Sequence, residues 1–316
     1  MQEVRTAVIG VGYLGRFHAQ KYATLPRSKL VAVVDPDAAT RERVAAETGC
    51  RATADFRDIL DSVDAVSIAT PTPLHHAIAR ECLERGVHVL VEKPITETID
   101  EARQLVELAA RKALVLQVGH LERFNPAIQA LAGTLRTPRF VESHRLAPFR
   151  ERGTDVNVVL DLMIHDIDLI QSLVRSPIVS IDAVGTSVFS SGLDIANARI
   201  RYANGCVANT TASRVSMKTE RKLRLFQDDA YVSIDLQQKV LTIVRKPPEG
   251  SGAALGQVAI EERTYEQGDA LRLEIESFLE SIAEGRPAAV SGEDGLEALA
   301  TALRISALVQ GGEVQP

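Results

Sequence analysis

The chain has 316 residues and a formal net charge of −6 at pH 7, with 45% hydrophobic and 25% charged residues. Its length exceeds that of most single domains, so we expect two domains. The acidic balance, the lack of Trp and an aromatic content of 4% argue against a nucleic-acid-binding protein, which needs a basic face and rings for base stacking.

The cysteines and the apolar segments indicate the cellular compartment of the protein. Three cysteines without a C-x-x-C spacing are typical of a reducing compartment and predict neither a disulfide framework nor a zinc knuckle. The first residues, MQEVRTAVIG, lack the basic start and the cleavage site of a signal peptide. No uncharged apolar run reaches the length of a membrane span. We therefore expect a cytoplasmic protein with no membrane partner.

Residues 1–120 alternate short apolar runs with amphipathic segments, a pattern typical of β-α-β units and a parallel sheet. The runs are almost continuously apolar, as strands covered on both faces are. They are TAVIGV, LVAVVD, DAVSIAT, VHVLVE and LVLQVG, with helices such as ATRERVAAETG and IDEARQLVELAARK between them. The pattern predicts an α/β fold that begins with a doubly wound parallel sheet over residues 1–120.

A glycine-rich turn follows the first strand. Gly10, Gly12 and Gly15 have the G-x-G-x-x-G spacing, which lets a backbone approach a pyrophosphate at a helix N-terminus. Asp35 ends the second strand, where a carboxylate can accept hydrogen bonds from the adenosine ribose. Because Asp35 would repel a 2′-phosphate and Pro36 follows it in place of an arginine, we predict that the cofactor is NAD rather than NADP.

The motif VEKPI follows the strand VHVLVE. It places Lys93 at the carboxyl end of a parallel strand, where ligands bind in open α/β sheets. Pro94 can fix the turn through a cis peptide bond and so direct Lys93 toward a ligand. Taken alone, the motif is explained equally well as a turn with two surface charges.

The second half of the chain, after residue 120, has a different pattern, in which strands follow one another directly. The segment NARIRYANGCVANTTAS is typical of a hairpin that turns at Asn204 and Gly205, and KLRLFQDDAYVSIDLQQKVLTIVRK offers three more strands. Helices are expected near residues 124–134, 158–174, 268–285 and 293–309, and KPPEGSGAALG is expected to be a loop. We predict that residues 121–316 form an α/β domain with a large, mainly antiparallel sheet. Its open face predicts a homodimer or homotetramer.

The predicted helix VVLDLMIHDIDLI places Asp161, His165 and Asp168 on one face. Burial of such groups costs several kcal/mol unless they are paired or used, so the stripe is either an ion-pair network or the lining of a site. The three residues are possible metal ligands by type. However, no further His or Cys nearby completes a set, and we predict no metal.

Four segments together resemble the glucose-fructose oxidoreductase/inositol dehydrogenase (Gfo/Idh/MocA) family. They are GVGYLG, ATPTPLHHAIA (Ala69–Ala79), VEKPI (Val91–Ile95) and DLMIHDID (Asp161–Asp168). The resemblance implies a Rossmann domain that binds NAD(P) and a second domain that binds a sugar or polyol. The cofactor-binding residues that it implies are Gly10, Gly12, Tyr13, Leu14, Gly15, Asp35, Thr70, Pro71, His75, Glu92 and Lys93. Met163 stands where glycine is common in the D-x-G-x-H helix of the family.

The resemblance also implies that Lys93, Asp161 and His165 are catalytic. Oxidation of an alcohol needs a proton acceptor, and the imidazole of His165 is suited to that role near neutral pH. Lys93 is expected to donate a hydrogen bond to the reacting oxygen. Asp161 is expected to position the substrate or stabilise the imidazolium.

Arginines and an asparagine before this helix are candidates for substrate contact. Arg123 is expected to contact substrate or cofactor, whereas the preferred role of Asn125 is to cap a helix that starts at Pro126. A cluster of five arginines either suits a diphosphate or balances nearby acids, and its members are Arg136, Arg139, Arg145, Arg150 and Arg152. The substrate-binding residues are therefore expected to be Lys93, Arg123, Asn125, Arg145, Arg150, Asp161 and His165.

Two longer segments, GHLERFNPA and HRLAPFRERGTDVNVVLDLMIHDID, resemble the branch of the family that oxidises the C3 hydroxyl of UDP-N-acetylglucosamine. Members of that branch prepare a 3-keto sugar for amination, which leads to a modified lipid A. Two alternatives remain open. One is a dehydrogenase of another nucleotide sugar, a free sugar or a polyol, and the other is an NAD-sensing regulator without turnover.

Overall fold

The computed structural model describes residues 3–149, 156–246, 258–266 and 268–311. The chain forms two compact units. The first contains residues 1–121 and 269–299, and the second contains residues 122–268 and 300–316. The sequence pattern predicts one boundary near residue 120, and the structure differs because residues 269–299 belong to the first unit.

The first unit contains the predicted parallel sheet, with six strands in the order β3-β2-β1-β4-β5-β6. The strands are β1 Val4–Ile9, β2 Ser28–Val34, β3 Arg51–Thr53, β4 Ala65–Ile68, β5 His88–Glu92 and β6 Leu116–Gly119. The helices are α1 Tyr13–Tyr22, α2 Ala38–Thr48, α3 His75–Glu84 and α4 Ile99–Lys112. The strand order reverses between β1 and β4, which is where dinucleotides bind in doubly wound sheets. The edge strand β3 is too short to show a periodicity in the sequence.

The apolar face of a helix near the end of the chain explains why residues 269–299 belong to the first unit. Helix α7, Ala270–Glu284, places Leu271, Ile275, Phe278 and Leu279 at intervals of three and four residues, on one face. All four are buried in the core cluster of the first unit. The sequence predicts this helix and its apolar face, but it does not reveal which core the face covers.

The second unit is built on an eight-stranded sheet in the order β14-β13-β12-β11-β7-β10-β9-β8. Its strands are β7 Phe140–Leu146, β8 Ile178–Thr186, β9 Ile195–Tyr202, β10 Val207–Ser213, β11 Glu220–Gln227, β12 Ala230–Asp235, β13 Val240–Arg245 and β14 Ala259–Thr264. Neighbours are antiparallel except β7 and β10, which are parallel. The mainly antiparallel sheet is thus confirmed, as is the turn at Asn204 and Gly205, where Gly205 has φ +85°.

The helices of the second unit agree with the predicted helices, except that the first of them is shorter than predicted. They are α5 Pro126–Gln129 and α6 Ile164–Val174, and the final helix α8, Gly292–Val309, crosses the boundary between the units. The expected helix at 158–174 begins with a π-helical turn, Val159–Met163, before α6 continues it. The carboxamide oxygen of Asn157 accepts hydrogen bonds from the N–H groups of Val159 and Leu160 and so caps that turn.

Within the described ranges, the helices are too short or too polar to span a bilayer. The predicted loop KPPEGSGAALG lies largely at 247–256, outside the described residues.

Candidate active site

The glycine turn of the first unit leaves no room for side chains where it meets its neighbours. Gly10 has φ +82°, and a Cβ there would lie 2.8 Å from Thr70 Cγ2. A Cβ on Gly15 would lie 1.8 Å from the carbonyl oxygen of Gly10. A Cβ on Gly12 would meet nothing within 4 Å, so the backbone just before α1 faces open space. This arrangement fits a pyrophosphate bound at the N-terminus of α1.

The first two residues of α1, Tyr13 and Leu14, are 76% and 37% exposed. Because both side chains lie beside the glycine turn, they can cover a bound dinucleotide. Their assignment to the cofactor remains a prediction.

Asp35 lies beside the glycine turn, at the end of β2. Its carboxylate accepts hydrogen bonds from the N–H of Val11 at 3.0 Å and from the N–H of Asp37 at 2.9 Å. Each oxygen keeps a second lone pair that can accept a ribose hydroxyl. Arg41, which the sequence reasoning missed, donates to the carbonyl oxygens of Asp35 and Pro36 at 3.3 and 3.0 Å. An arginine is therefore held at this turn, although it does not follow Asp35 in sequence.

His75 joins two loops at the carboxyl edge of the parallel sheet. Its Nδ1 lies 2.9 Å from the carbonyl oxygen of Pro94, and its Nε2 lies 2.9 Å from that of Thr70. The ring is buried, and Pro71 leads from Thr70 into the 3₁₀ turn that precedes α3. The Lys93–Pro94 peptide bond is cis. His75 therefore positions the turn that carries Lys93, a role that sequence spacing alone could not show.

Glu92 holds the backbone from which the Lys93 side chain extends. Its Oε2 accepts the N–H of Lys93 at 3.3 Å, and its Oε1 lies 3.1 Å from Nε2 of His18. A Cβ on Gly119 would lie 2.9 Å from the Glu92 carboxyl group, so the neighbouring strand β6 has no room for a side chain at this position. Lys93 itself is half-buried at the end of β5, as predicted. His18 carries no motif signal that separates it from an ordinary helix residue.

The three residues of the predicted stripe in the second unit have different surroundings. Asp161, in the π-helical turn, and His165, in the first turn of α6, are half-buried. Asp168 is fully buried and binds Arg123 through two hydrogen bonds of 2.7 Å. Asp161 and His165 are therefore the members of the stripe that a substrate can reach. π-helical turns are frequent at functional sites.

A second arginine binds the same helix. Arg145, on β7, donates to both oxygens of the buried Asp166 at 2.9 to 3.2 Å and to Glu122 at 3.0 Å. Burial lowers the pKa of Arg145, but the two carboxylates outweigh burial and raise the pKa, so the guanidinium stays charged.

Other predicted substrate residues have local partners or lie outside the described ranges. Asn125 caps α5 by accepting the N–H of Ala127 at 3.1 Å, which confirms the capping role, and its Nδ2 donates to the carbonyl of Leu236. Arg136 and Arg139 form exposed ion pairs with Asp229 and Asp228. Arg150 and Arg152 lie outside the described residues. The structure thus shows where these residues lie, and their substrate contacts remain predictions.

Known proteins resemble both units. Residues 4–120 match the model of an oxidoreductase family with an NAD-binding Rossmann fold, and residues 128–233 match that of the Gfo/Idh/MocA C-terminal domain. A UDP-N-acetylglucosamine 3-dehydrogenase from Acidithiobacillus ferrooxidans is 43% identical over 314 residues, which cover 98% of each chain. A solved structure of the enzyme of that name from the same organism has a TM-score of 0.91 at 42% identity, covering 98% of this chain and 99% of its own. A scyllo-inositol 2-dehydrogenase (NAD(+)) from Bacillus subtilis is 30% identical over 233 residues, 68% of each chain.

Proposed function

The chain belongs to the Gfo/Idh/MocA family of oxidoreductases, and from that premise we propose that it oxidises the C3 hydroxyl of UDP-N-acetylglucosamine to the 3-keto sugar with NAD. The similarity to a 3-dehydrogenase of this nucleotide sugar carries the proposal, because it extends over nearly the whole of both chains. The similarity to the inositol dehydrogenase is weaker and shorter. A polyol is therefore the second candidate substrate.

NAD is the cofactor, and the residues of the first unit fit it. When bound, NAD would supply the acceptor for the hydride that leaves C3. Gly10, Gly12 and Gly15 shape the turn for the pyrophosphate, and the Asp35 carboxylate is fixed where it can accept the ribose hydroxyls. We assign the remaining contacts to Tyr13, Leu14, Thr70, Pro71, His75, Glu92 and Lys93, as the family resemblance implies.

The proton chemistry is assigned to three side chains. His165 removes the proton from the C3 hydroxyl as hydride leaves the carbon, so the carbonyl forms and the imidazole becomes charged. Lys93 donates a hydrogen bond to the oxygen, which favours the negative charge that develops there. Asp161 lies one turn before His165 and either orients the sugar or stabilises the imidazolium.

Arg123 and Arg145 acquire a positioning role in this proposal. Each binds a buried carboxylate of the helix that carries His165, and so fixes the orientation of that helix. Together with Asn125 and Arg150 they remain our candidates for contact with the UDP group. Binding energy from that remote group should then raise kcat as well as affinity.

An assay that removes the product tests the proposal. Oxidation of an alcohol by NAD is often uphill at neutral pH, so a 3-keto-sugar aminotransferase with glutamate, or a carbonyl trap, is added and NADH is followed by absorbance. We expect NADH from UDP-N-acetylglucosamine and much less from UDP-glucose, N-acetylglucosamine or myo-inositol. If a free polyol gives NADH under trapping and the nucleotide sugar does not, the polyol dehydrogenase replaces this proposal. If no alcohol gives NADH, the alternative of an NAD-sensing regulator without turnover replaces this proposal.

We further propose a setting for the reaction. The 3-keto product is the kind of carbonyl that an aminotransferase consumes, and the resulting amino sugar would enter a modified lipid A. Cys50, Cys82 and Cys206 are all free thiols, which is consistent with a reducing cytoplasm.

We also propose that a second copy of the chain covers the outer face of the eight-stranded sheet. Phe140, Phe226 and Tyr231 lie side by side there on β7, β11 and β12, with ring centroids 5.6 and 5.0 Å apart. Val184 on β8 and Ile260 on β14 are 66% and 67% exposed. Exposed apolar side chains on several strands are typical of an interface. Light scattering should give a dimer or tetramer, and a particle with the 34.3 kDa mass of one chain would refute this assignment.

A further inference from the structure

Three titratable side chains meet inside the first unit, behind the turn that carries Lys93. They are His18 on α1, Glu92 at the end of β5 and Glu274 on α7, and one nitrogen or oxygen of each lies within 4.8 Å of the others. Glu274 is fully buried. Neither of its carboxyl oxygens has a hydrogen-bond partner among the described residues. An ionised carboxylate in that position would be exceptionally costly.

Among the described residues, the polar side chains around Glu274 form their hydrogen bonds with other groups. On α1, His18 Nδ1 lies 3.2 Å from Ser67 Oγ, and that hydroxyl also bonds Tyr22 at 2.9 Å. On β6, the Gln117 side chain donates to the backbone carbonyl of Glu274 rather than to its carboxyl group. Burial first, and then the nearby charge of Glu92, raise the pKa of Glu274 well above its usual range. The protonated form is therefore retained to higher pH than in an ordinary glutamate.

Glu92, unlike Glu274, has a partner for each of its carboxyl oxygens. One oxygen accepts the backbone N–H of Lys93, and the other faces the His18 imidazole. Both contacts hold the end of β5 in place. A second negative charge on Glu274 would repel the Glu92 carboxylate and disturb both of them.

We propose, on the basis of the function proposed above for Lys93, that Glu274 is a positioning residue whose neutral carboxyl group leaves Glu92 as the only carboxylate of the cluster and so fixes the backbone at Lys93. As the pH rises and Glu274 loses its proton, the two carboxylates repel each other and the Lys93 turn shifts. The result is a fall in kcat at alkaline pH that originates in the buried cluster rather than at the substrate.

A divalent cation is the rival explanation, because imidazole and carboxylate ligands suit several metals. However, His18 and Glu92 already bind each other at 3.1 Å. Metal analysis of the purified protein decides this point. A stoichiometric metal that is absent from the Glu274→Gln variant would overturn the proposal.

Infrared spectroscopy tests the proton directly, with no substrate present. The wild-type protein at neutral pH should show the C=O stretch of a buried protonated carboxyl group, and Glu274→Gln should lose that band. Glu276→Gln is the matched control, because Glu276 lies on the same helix in an ion pair with Arg272. Absence of the band from the wild-type protein would refute the proposal.

Kinetics test the positioning role. Glu274→Gln should keep kcat close to the wild-type value near neutral pH, because the amide is neutral like the protonated carboxyl group, and it should weaken the alkaline fall of kcat. An unaltered alkaline limb in Glu274→Gln would overturn the role. If the infrared band is present but no sugar is oxidised, the proposed function fails and the positioning role fails with it, while the buried proton remains established.

Discussion

Arg123 binds Asp168 through two parallel hydrogen bonds, with Nε and Nη2 each 2.7 Å from a carboxylate oxygen. The planar guanidinium matches the carboxylate in this geometry, which makes the pair both strong and directional. Arg145 binds Asp166 on the same helix. Two arginines, one from a 3₁₀ turn and one from β7, therefore fix the helix that presents His165.

Removal of one partner of this pair should destabilise the fold. In Asp168→Ala the Arg123 guanidinium is left in a largely buried position without its carboxylate, so we expect a loss of about 3 kcal/mol or more in the free energy of unfolding. Urea denaturation of the purified variant measures it. Asp161→Ala is the control, because Asp161 is half-buried. Asp161→Ala should lower kcat and destabilise the protein less than Asp168→Ala does. Equal destabilisation by both changes would contradict the different roles given to Asp161 and Asp168.

Loss of the proton acceptor should affect turnover more than cofactor binding. We expect His165→Ala and Lys93→Ala each to lower kcat by roughly 10²-fold or more, the usual scale for acid–base groups. His165 belongs to the second unit and the glycine turn to the first, so His165→Ala should bind NADH like the wild-type protein, as measured by fluorescence. Wild-type turnover in both variants would remove the catalytic assignment.

Asp35 should set the preference for NAD, and Arg41 should favour NADP once Asp35 is replaced. The carboxylate repels a 2′-phosphate, and like-charge contacts of this kind cost several kcal/mol. Asp35→Ser should therefore move the ratio of kcat/KM for NAD and NADP toward NADP by at least about 10-fold. Arg41 is held at the same turn, so adding Arg41→Ala should reverse the gain. Equal use of both cofactors by the wild-type protein would show that Asp35 does not discriminate.

The buried proton of Glu274 has a consequence for stability. The pKa of Glu274 is raised in the folded state, so above the ordinary glutamate pKa the folded protein binds one more proton than the unfolded chain. Folding stability from this group then falls as the pH rises toward the folded-state pKa, by up to about 1.4 kcal/mol per pH unit. Glu274→Gln has no such proton, so its melting temperature relative to wild type should rise as the pH increases above the ordinary glutamate pKa. A difference that stays constant with pH would count against a protonated Glu274.

The sequence predicts the secondary-structure elements of this protein better than it predicts which elements pair or pack with one another. The parallel sheet, the glycine turn, the Lys93 turn and the hairpin at Gly205 all have local signals, namely periodicity, glycine spacing and turn residues. The parallel pairing of β7 with β10 and the return of α7 to the first core depend on contacts between distant segments. No local pattern encodes these contacts.

The same limit applies to the candidate site. Asp161, His165 and Asp168 have the same helical spacing, and only the partner Arg123, 45 residues away, separates Asp168 from the other two. Glu274 did carry a signal. It stands three residues after Leu271 and four before Phe278, on the apolar face of α7, where a carboxylate is out of place. A charged residue on a core-facing stripe indicates a group that is paired, protonated or used.

Isotope transfer tests the central claim most directly. UDP-N-acetylglucosamine with deuterium at C3 is incubated with the protein, NAD and a carbonyl trap, and the NADH formed is analysed by mass spectrometry. If the C3 hydroxyl is the one oxidised, the NADH carries the deuterium, whereas substrate with deuterium at C4 gives unlabelled NADH. Unlabelled NADH from the C3-deuterated sugar, or labelled NADH from the C4-deuterated one, would contradict oxidation at C3.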